Sequence, residues 1–261
     1  MQCYKLTLAY DGTQYGGWQI QPNAPSIQQH LQESLTSFLA GEIVAVIGSG
    51  RTDAGVHALN QIAHFKTEKM LDLNRLLLAL NGLLPRDIRV KKVEMAPLEF
   101  HSQYSAIGKE YHYYLCLDRV MDPFRRLYSW HVLRKINVFL LQEAATLFIG
   151  KHDFTSFSNE SHTGAVAKNP IRTIYRLDIC LTEEGLRFEF EGNGFLYKMV
   201  RNIVGTLIDV ASSRLTLADV DSIFEAKDRR RAGQAAPPQG LFLVRVDYPD
   251  EAHCLPESHQ R

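Results

Sequence analysis

One glycine-rich segment concentrates side chains that can do chemistry. Residues 48–55 read G-S-G-R-T-D-A-G, with one guanidinium, Arg51, and one carboxylate, Asp53, among small residues. Glycines permit backbone conformations with positive φ and let a bulky ligand approach closely. Asp53 in such a loop is suited to act as a nucleophile or a general acid or base, and Arg51 to contact a phosphate. An ordinary turn held by an Arg–Asp ion pair is the competing interpretation.

Motifs of several other chemistries are missing from the sequence. The loop carries the first two glycines of G-x-G-x-x-G but has Asp53 in the third place, so it does not match a dinucleotide-binding turn. The sequence contains no G-x-x-x-x-G-K-[ST], H-E-x-x-H or G-x-S-x-G motif. The four cysteines form no C-x-x-C pair, which argues against a cysteine zinc site and favours reduced thiols in a cytoplasmic protein.

The composition is that of a globular protein. Of 261 residues, 45% are hydrophobic and 22% are charged, which fits one large domain or two halves that share a core. No apolar run approaches the ~18 residues of a membrane span, so no membrane association is predicted. A net charge of zero argues against a nonspecific polyanion binder, but a local basic face remains compatible with a nucleic-acid partner.

The elements that position the loop are predicted to alternate between strands and helices. Apolar spacing predicts helices over 27–39, 73–80, 138–148, 195–210 and 217–226, the first capped by Ser26. Alternating or strand-rich stretches predict strands over 4–10, 43–47, 61–66, 88–94, 104–117, 172–181, 186–191 and 241–247. We therefore expect an α+β fold of two similar halves, residues 1–103 and 104–249, followed by a loose tail, 250–261. Each half would hold a mainly antiparallel sheet flanked by helices, and the halves would join around a central cleft.

Six stretches of the sequence resemble, in order, the motifs of the tRNA pseudouridine synthase A family. The signature is G-R-T-D-A-G-V-H at residues 50–57. The other matches are Y-D-G-T at 10–13 with G-W-Q at 17–19, F-H at 100–101 with S-A at 105–106, D-F-T-S-F at 153–157, F-L-Y-K-M-V-R-N-I-V-G at 195–205, and A-G at 232–233 with G-L at 240–241. Together they span nearly the whole chain.

The resemblance implies an isomerase that converts uridine to pseudouridine in the anticodon stem-loop of tRNA, at positions 38, 39 and 40. It implies that Asp53 is the catalytic carboxylate, acting as nucleophile or base, and that Arg201 pairs with it. An arginine in the apolar helix predicted over 195–210 is costly unless it meets a carboxylate, which independently favours this pairing. The resemblance further implies that Arg51 assists flipping of the target base and that Tyr111 stacks on the uracil.

Other expectations follow from the same resemblance. The substrate and product contain the same atoms at the same oxidation state, so no cofactor and no metal are expected. The family acts as a homodimer. By strand alternation Tyr111 and Tyr113 share a face, so the choice of Tyr111 rests on the family pattern. Residues 103–135 hold six Lys or Arg against three acids, and residues 227–231 hold four bases, and either cluster is compatible with RNA contact or with an ordinary solvated face.

Departures from the family pattern and two rival functions remain open at this point. Gln103 replaces an arginine of the family and Ala235 replaces a threonine, which puts the strength of tRNA binding in doubt. One rival is a binding module that has lost catalysis, although the intact Asp53 argues against it. The other is a hydrolase of the glycosidic bond, which could also use a single carboxylate.

Overall fold

A computed structural model describes residues 1–159 and 169–249 and gives the chain a mixed α+β architecture. The helices are α1 (Ile27–Phe38), α2 (Leu73–Leu83), α3 (Val138–Thr146), α4 (Met199–Ala211) and α5 (Leu217–Ala226). The strands are β1 (Gln2–Tyr10), β2 (Ile47–Gly48), β3 (His57–Thr67), β4 (Ile88–Ala96), β5 (Gly108–Cys116), β6 (Trp130–His131), β7 (Gly150–Asp153), β8 (Ile171–Thr182), β9 (Gly185–Gly192) and β10 (Leu241–Asp247). The predicted tail, 250–261, lies outside the described residues.

All ten strands belong to one sheet, whose main order is β4-β1-β3-β10-β5-β9-β8-β7. The pairings along this path are antiparallel except between β3 and β10, where Phe242 lies opposite His57 and Leu243 opposite Ala58 in parallel. The α+β prediction is confirmed, and the sheets expected in the two halves are continuous through this parallel contact. The division of the chain at 103/104 stays a prediction.

The helices begin where their capping residues allow and bury one face each. The Ser26 side chain accepts a hydrogen bond from Gln29 N and caps α1, whose Ile27, Leu31 and Leu35 are buried. Thr216 and Asp219 form a reciprocal capping box at the start of α5. Helix α1 contacts α2, which packs on β4, while α3 contacts α4 and β8. No helix in residues 1–159 and 169–249 is long and apolar enough to cross a membrane.

Two predicted elements are wrong in ways that matter for the site. The strand predicted over 43–47 is paired only at Ile47–Gly48, although Val44 and Val46 alternate inward as strand residues do. The carbonyl oxygen of Val46 accepts a hydrogen bond from Gln28 Nε2 and not from the backbone of a neighbouring strand. The helix predicted from 195 begins only at Met199, because Lys198 adopts a left-handed conformation with φ +59° that interrupts a helix.

Candidate active site

The loop that carries Asp53 connects β2 to β3 and is shaped by the segment after β1. Trp18 N donates to Thr52 O over 3.1 Å, and Gly55 N donates to Tyr15 O over 3.3 Å. Gly17 has φ +98°, and a Cβ there would lie 2.4 Å from Thr52 O. The two segments therefore touch backbone to backbone at a point where only glycine fits.

A buried polar network fixes the backbone on both sides of Arg51. Gln61, which is fully buried in β3, donates from Nε2 to Gly50 O over 3.0 Å and to the Tyr10 hydroxyl over 3.3 Å. Its Oε1 accepts from the Ser49 hydroxyl at 2.6 Å. The Tyr10 hydroxyl lies 2.9 Å from Thr52 Oγ1, and burial raises the pKa of Tyr10 to about 12. Every member of this network is hydrogen-bonded, as buried polar groups require.

Arg201 reaches Asp53 from the first turn of α4. Its Nη1 donates to Asp53 Oδ2 over 2.7 Å, and its Nε donates to Ala236 O over 2.7 Å. The two side chains are only 11% and 14% exposed, so the ion pair is largely shielded from water. Arg201 is thus the partner that the sequence predicted for Asp53, and it is positioned by a second bond of its own.

The segment after α5 is pressed against α4 and holds Arg201 in place. Ala236 N donates to Arg201 O over 2.9 Å, so backbone bonds link the two segments at the site. A Cβ at Gly205 would lie 1.8 Å from Gln234 O, which leaves room for no side chain on that turn of the helix. The A-G match at 232–233 and Gly205, the last residue of the match at 195–205, therefore lie at the same contact between this segment and α4.

The structure distinguishes Tyr111 from Tyr113. Tyr111 is 8% exposed, its ring packs edge-on against Phe195 with centroids 5.2 Å apart, and its pKa is raised by burial and by the nearby Tyr10 and Asp53. Tyr113 is fully buried and donates its hydroxyl to Pro237 O over 2.7 Å. The charge of Asp53 therefore reaches Tyr111, while Tyr113 supports the segment that positions Arg201.

Three of the four predicted site residues meet in one place. Asp53, Arg201 and Tyr111 converge where the loop, α4 and β5 approach one another. Arg51 lies two residues before Asp53 with an exposed side chain, at the rim of this place. The second oxygen of Asp53, Oδ1, accepts no hydrogen bond from the described residues. One oxygen is therefore held by Arg201, and the other accepts from no donor in the part of the chain that the structure describes.

Comparison with known proteins identifies the family of this chain. A family model described as tRNA pseudouridine synthase matches residues 7–105 and 144–249. The tRNA pseudouridine synthase A 1 of Protochlamydia amoebophila (strain UWE25) is 65% identical over 255 residues, covering 98% of this chain and 100% of that protein. The chain belongs to the tRNA pseudouridine synthase A family. A second relative, tRNA pseudouridine synthase A of Geobacter sp. (strain M21), is 41% identical over 251 residues, 96% of this chain and 100% of that protein.

A solved structure of a Cbf5-Nop10-Gar1 complex aligns only loosely with this family member. The alignment covers 92% of this chain and 57% of that chain, at 11% identity and a TM-score of 0.35. Family membership therefore rests on sequence.

His57, which ends the signature of the family, has a supporting position. Its side chain is buried, Nδ1 accepts from Gly12 N at 3.1 Å, and Nε2 lies 3.0 Å from Leu127 O. Burial lowers its pKa below the usual value for histidine. The ring thus anchors the end of the loop to two other segments.

Sequence reasoning missed several residues that build the site. Gln61, Tyr10 and Ser49 brace the loop, and the available signal for Gln61 was a polar residue at the start of the strand predicted over 61–66. Lys109, one of the six bases in residues 103–135, donates from Nζ to Ser49 O over 2.7 Å. Gln103, the departure from the family arginine, is half-buried, and its backbone N–H donates to His101 Nδ1.

One cluster has the donor types of a metal site but is engaged otherwise. Glu110, His112 and Glu189 bring ligand atoms within 4.8 Å of one another on the strand face opposite Tyr111. Arg245 Nη1 lies 2.6 Å from Glu110 Oε2, and Arg176 Nη1 lies 2.8 Å from Glu189 Oε2. The carboxylates thus belong to an arginine ion-pair network that joins four strands, β5, β8, β9 and β10.

Proposed function

We propose that this chain isomerises uridine to pseudouridine at positions 38, 39 and 40 in the anticodon stem-loop of tRNA, with Asp53 as the catalytic carboxylate. The chain belongs to a family of tRNA pseudouridine synthases, which are isomerases. The observation that carries the proposal is the shielded Asp53–Arg201 pair beside the ring of Tyr111.

The reaction breaks the N1–C1′ bond and forms a C5–C1′ bond. The C5 hydrogen leaves as a proton and N1 takes up a proton, so that substrate and product contain the same atoms. Asp53 acts either as the nucleophile at C1′ or as the base that removes a proton from the sugar. Both routes need a carboxylate with one oxygen open to the substrate. Arg201 binds the Oδ2 oxygen of Asp53 and leaves Oδ1 for the substrate. Arg201 orients the group through a charge-assisted bond while its own Nε is fixed by Ala236 O.

A uridine in a stem must leave the stack before it reaches Asp53. Extrusion costs a few kcal/mol and is offset by contacts in the pocket and in the vacated space. Tyr111 offers a ring beside Asp53 for the extruded uracil. Arg51, exposed at the rim of the same loop, is suited to contact the backbone or to occupy the gap.

No redox or group-carrying cofactor enters this proposal, because substrate and product are isomers. By family resemblance we extend the proposal to a homodimer that acts in the cytoplasm.

Tritium release from C5-labelled uridine in unmodified tRNA tests the proposal. Wild type is expected to release tritium and Asp53→Ala is not, because C5–C1′ bond formation expels the C5 hydrogen. Stem-loops with a single uridine at 38, 39 or 40 then locate the reacting position. Free uracil as product would indicate a hydrolase, and binding of tRNA with unchanged uridine would indicate a binding module.

A further inference from the structure

Two cations, Lys109 and Arg172, lie on one face of the sheet without a carboxylate partner among the described residues. Lys109 is on the same face of β5 as Tyr111, and a Cβ at Gly50 would lie 2.7 Å from its Nζ. Arg172, near the start of β8, lies beside Gly194, where a Cβ would be 3.8 Å from its Nε. Among residues 1–159 and 169–249, neither cation forms an ion pair with Asp or Glu.

Strand register explains how the two cations come close. Lys109 lies opposite Gly192 of β9, and Gly192 lies opposite Ile174 of β8. Arg172 is two residues before Ile174 and therefore points to the same face. Gly192 has no side chain, and the ring of Phe195 lies over it, with Cζ 3.3 Å from where a Cβ would be. Burial and, to a smaller extent, the charge of Arg172 lower the pKa of Lys109 to about 8.

Both cations have donors left over. An ammonium has three donors, and Ser49 O accepts one from Lys109. Arg172 donates from Nη1 to Asn169 O and Ile171 O, and its Nε and Nη2 donate to no described residue. A guanidinium with a free edge next to an ammonium suits the tetrahedral oxygens of a phosphate.

We propose that Lys109 and Arg172 together bind a backbone phosphate of the substrate RNA next to the uridine that reacts. This inference rests on the proposed function, because RNA is the polyanion that enters the cleft. The location of both cations supports the inference. Lys109 contacts the loop at Ser49, one residue before Gly50 and two before Arg51. Arg172 lies beside Gly194, which directly precedes Phe195, and the Phe195 ring packs on Tyr111. The phosphate would bring a counter-charge to two cations that otherwise repel each other.

Binding of a stem-loop RNA at a series of salt concentrations is the first test. Lys109→Met and Arg172→Gln are each expected to weaken binding about tenfold and to lower the salt slope by roughly one phosphate contact. Lys91→Met is the matched control, since Lys91 also donates to a carbonyl, Leu59 O, but lies on the distant strand β4. The RNA affinity of Lys91→Met and the salt dependence of that affinity should equal those of wild type.

Stem-loops with one neutral methylphosphonate give the decisive test. Neutralising one particular phosphate beside the target uridine should weaken RNA binding by wild type about tenfold. The same change should leave the affinities of Lys109→Met and Arg172→Gln almost unaltered. Equal losses in wild type and variants at every position would overturn the inference and leave Lys109 as a support for Ser49 O only. Arg172→Gln keeps the test valid if Lys109→Met unfolds, because within the described residues Arg172 donates to the nearby carbonyls of Asn169 and Ile171 alone.

The two proposals fail separately. Absence of tritium release from wild type would refute the isomerase function. Tritium release with no phosphate-specific difference between wild type and the two variants would refute only the phosphate site.

Discussion

Arg201 donates from Nη1 to Oδ2 of Asp53 over 2.7 Å, although the two residues are 148 positions apart in the chain. Asp53 comes from a loop between two strands, and Arg201 from the first turn of a buried helix. The carboxylate therefore acquires its partner only when both parts of the chain are folded. Tyr111, on a third element, borders the same carboxylate.

Asp53→Asn is expected to abolish turnover and retain tRNA binding. The amide keeps the size of the carboxylate and a hydrogen-bond acceptor for Arg201, but it is neither a nucleophile nor a base. Tritium release and a filter-binding assay on the same preparation check the two halves of this expectation. Clear residual turnover in Asp53→Asn would remove the residue from the chemistry.

Replacing Arg201 is expected to impair activity severely, and Arg201→Lys should not restore it. A lysine keeps the charge but cannot donate simultaneously to Asp53 Oδ2 and Ala236 O as the guanidinium does. Arg201→Ala leaves a shielded carboxylate unpaired, which costs about 3 to 5 kcal/mol of unfolding free energy when a buried pair is broken. Denaturant unfolding and single-turnover kinetics measure both effects. Near-normal kinetics in Arg201→Ala would mean that the ion pair is dispensable.

The sequence predicted the contact between Asp53 and Arg201 better than it predicted the backbone that carries them. The signature at 50–57 and the arginine in an apolar helix pointed to a pair that the structure brings together. The left-handed Lys198, which starts α4 four residues late, has no signature in side-chain spacing. Val44 and Val46 alternate like a strand, but their segment packs on the core without a ladder beyond Ile47–Gly48. Periodicity reports which side chains are buried and not which backbone bonds form.

Alternation alone also could not separate Tyr111 from Tyr113. Both face inward from β5, and the distinction depends on what lies above each one: the Asp53 loop over Tyr111 and the carbonyl of Pro237 over Tyr113. Such long-range neighbours are set by tertiary packing. A local capping signal, in contrast, was sufficient to predict Ser26 as the cap of α1.

Gln61→Met is expected to lower kcat with little change in KM. It removes two donated bonds and one accepted bond from the network, so Gly50 O and the Ser49 hydroxyl lose their Gln61 partner and the Tyr10 hydroxyl keeps only Thr52 Oγ1. Each buried group left unsatisfied costs about 1 to 3 kcal/mol, so stability should fall too. Gln29→Met, which removes a bond to Glu33 on the surface of α1, is the control and should behave as wild type. An unchanged kcat in Gln61→Met would show that the loop holds its shape without this network.

Activity is expected to survive EDTA. An isomerisation of uridine needs no redox change, and the carboxylates of Glu110 and Glu189 are engaged by Arg245 and Arg176. Tritium release before and after chelation and dialysis measures the effect. A loss of activity that zinc restores would overturn this prediction.

The stability of the protein is expected to fall between about pH 6.5 and pH 4 partly because of His64. This side chain is buried in β3, and burial, His101 and Lys66 lower its pKa to about 4. Its Nδ1 accepts from Ser102 N over 3.2 Å, so protonation there would set a donor against a donor. The unfolded chain binds the proton near pH 6.5 and the folded chain only near pH 4, so acid favours unfolding across that interval. The contribution is on the order of 2 to 3 kcal/mol.

His64→Asn isolates this contribution, because the amide oxygen of Asn can accept from Ser102 N but does not titrate. The loss of unfolding free energy between pH 7 and pH 4 should be smaller in His64→Asn than in wild type by about that amount. His131→Asn, at a half-exposed histidine that bonds to Asp118 O, should retain the pH dependence of wild type. Parallel stability curves for wild type and His64→Asn would show that protonation of His64 does not oppose folding.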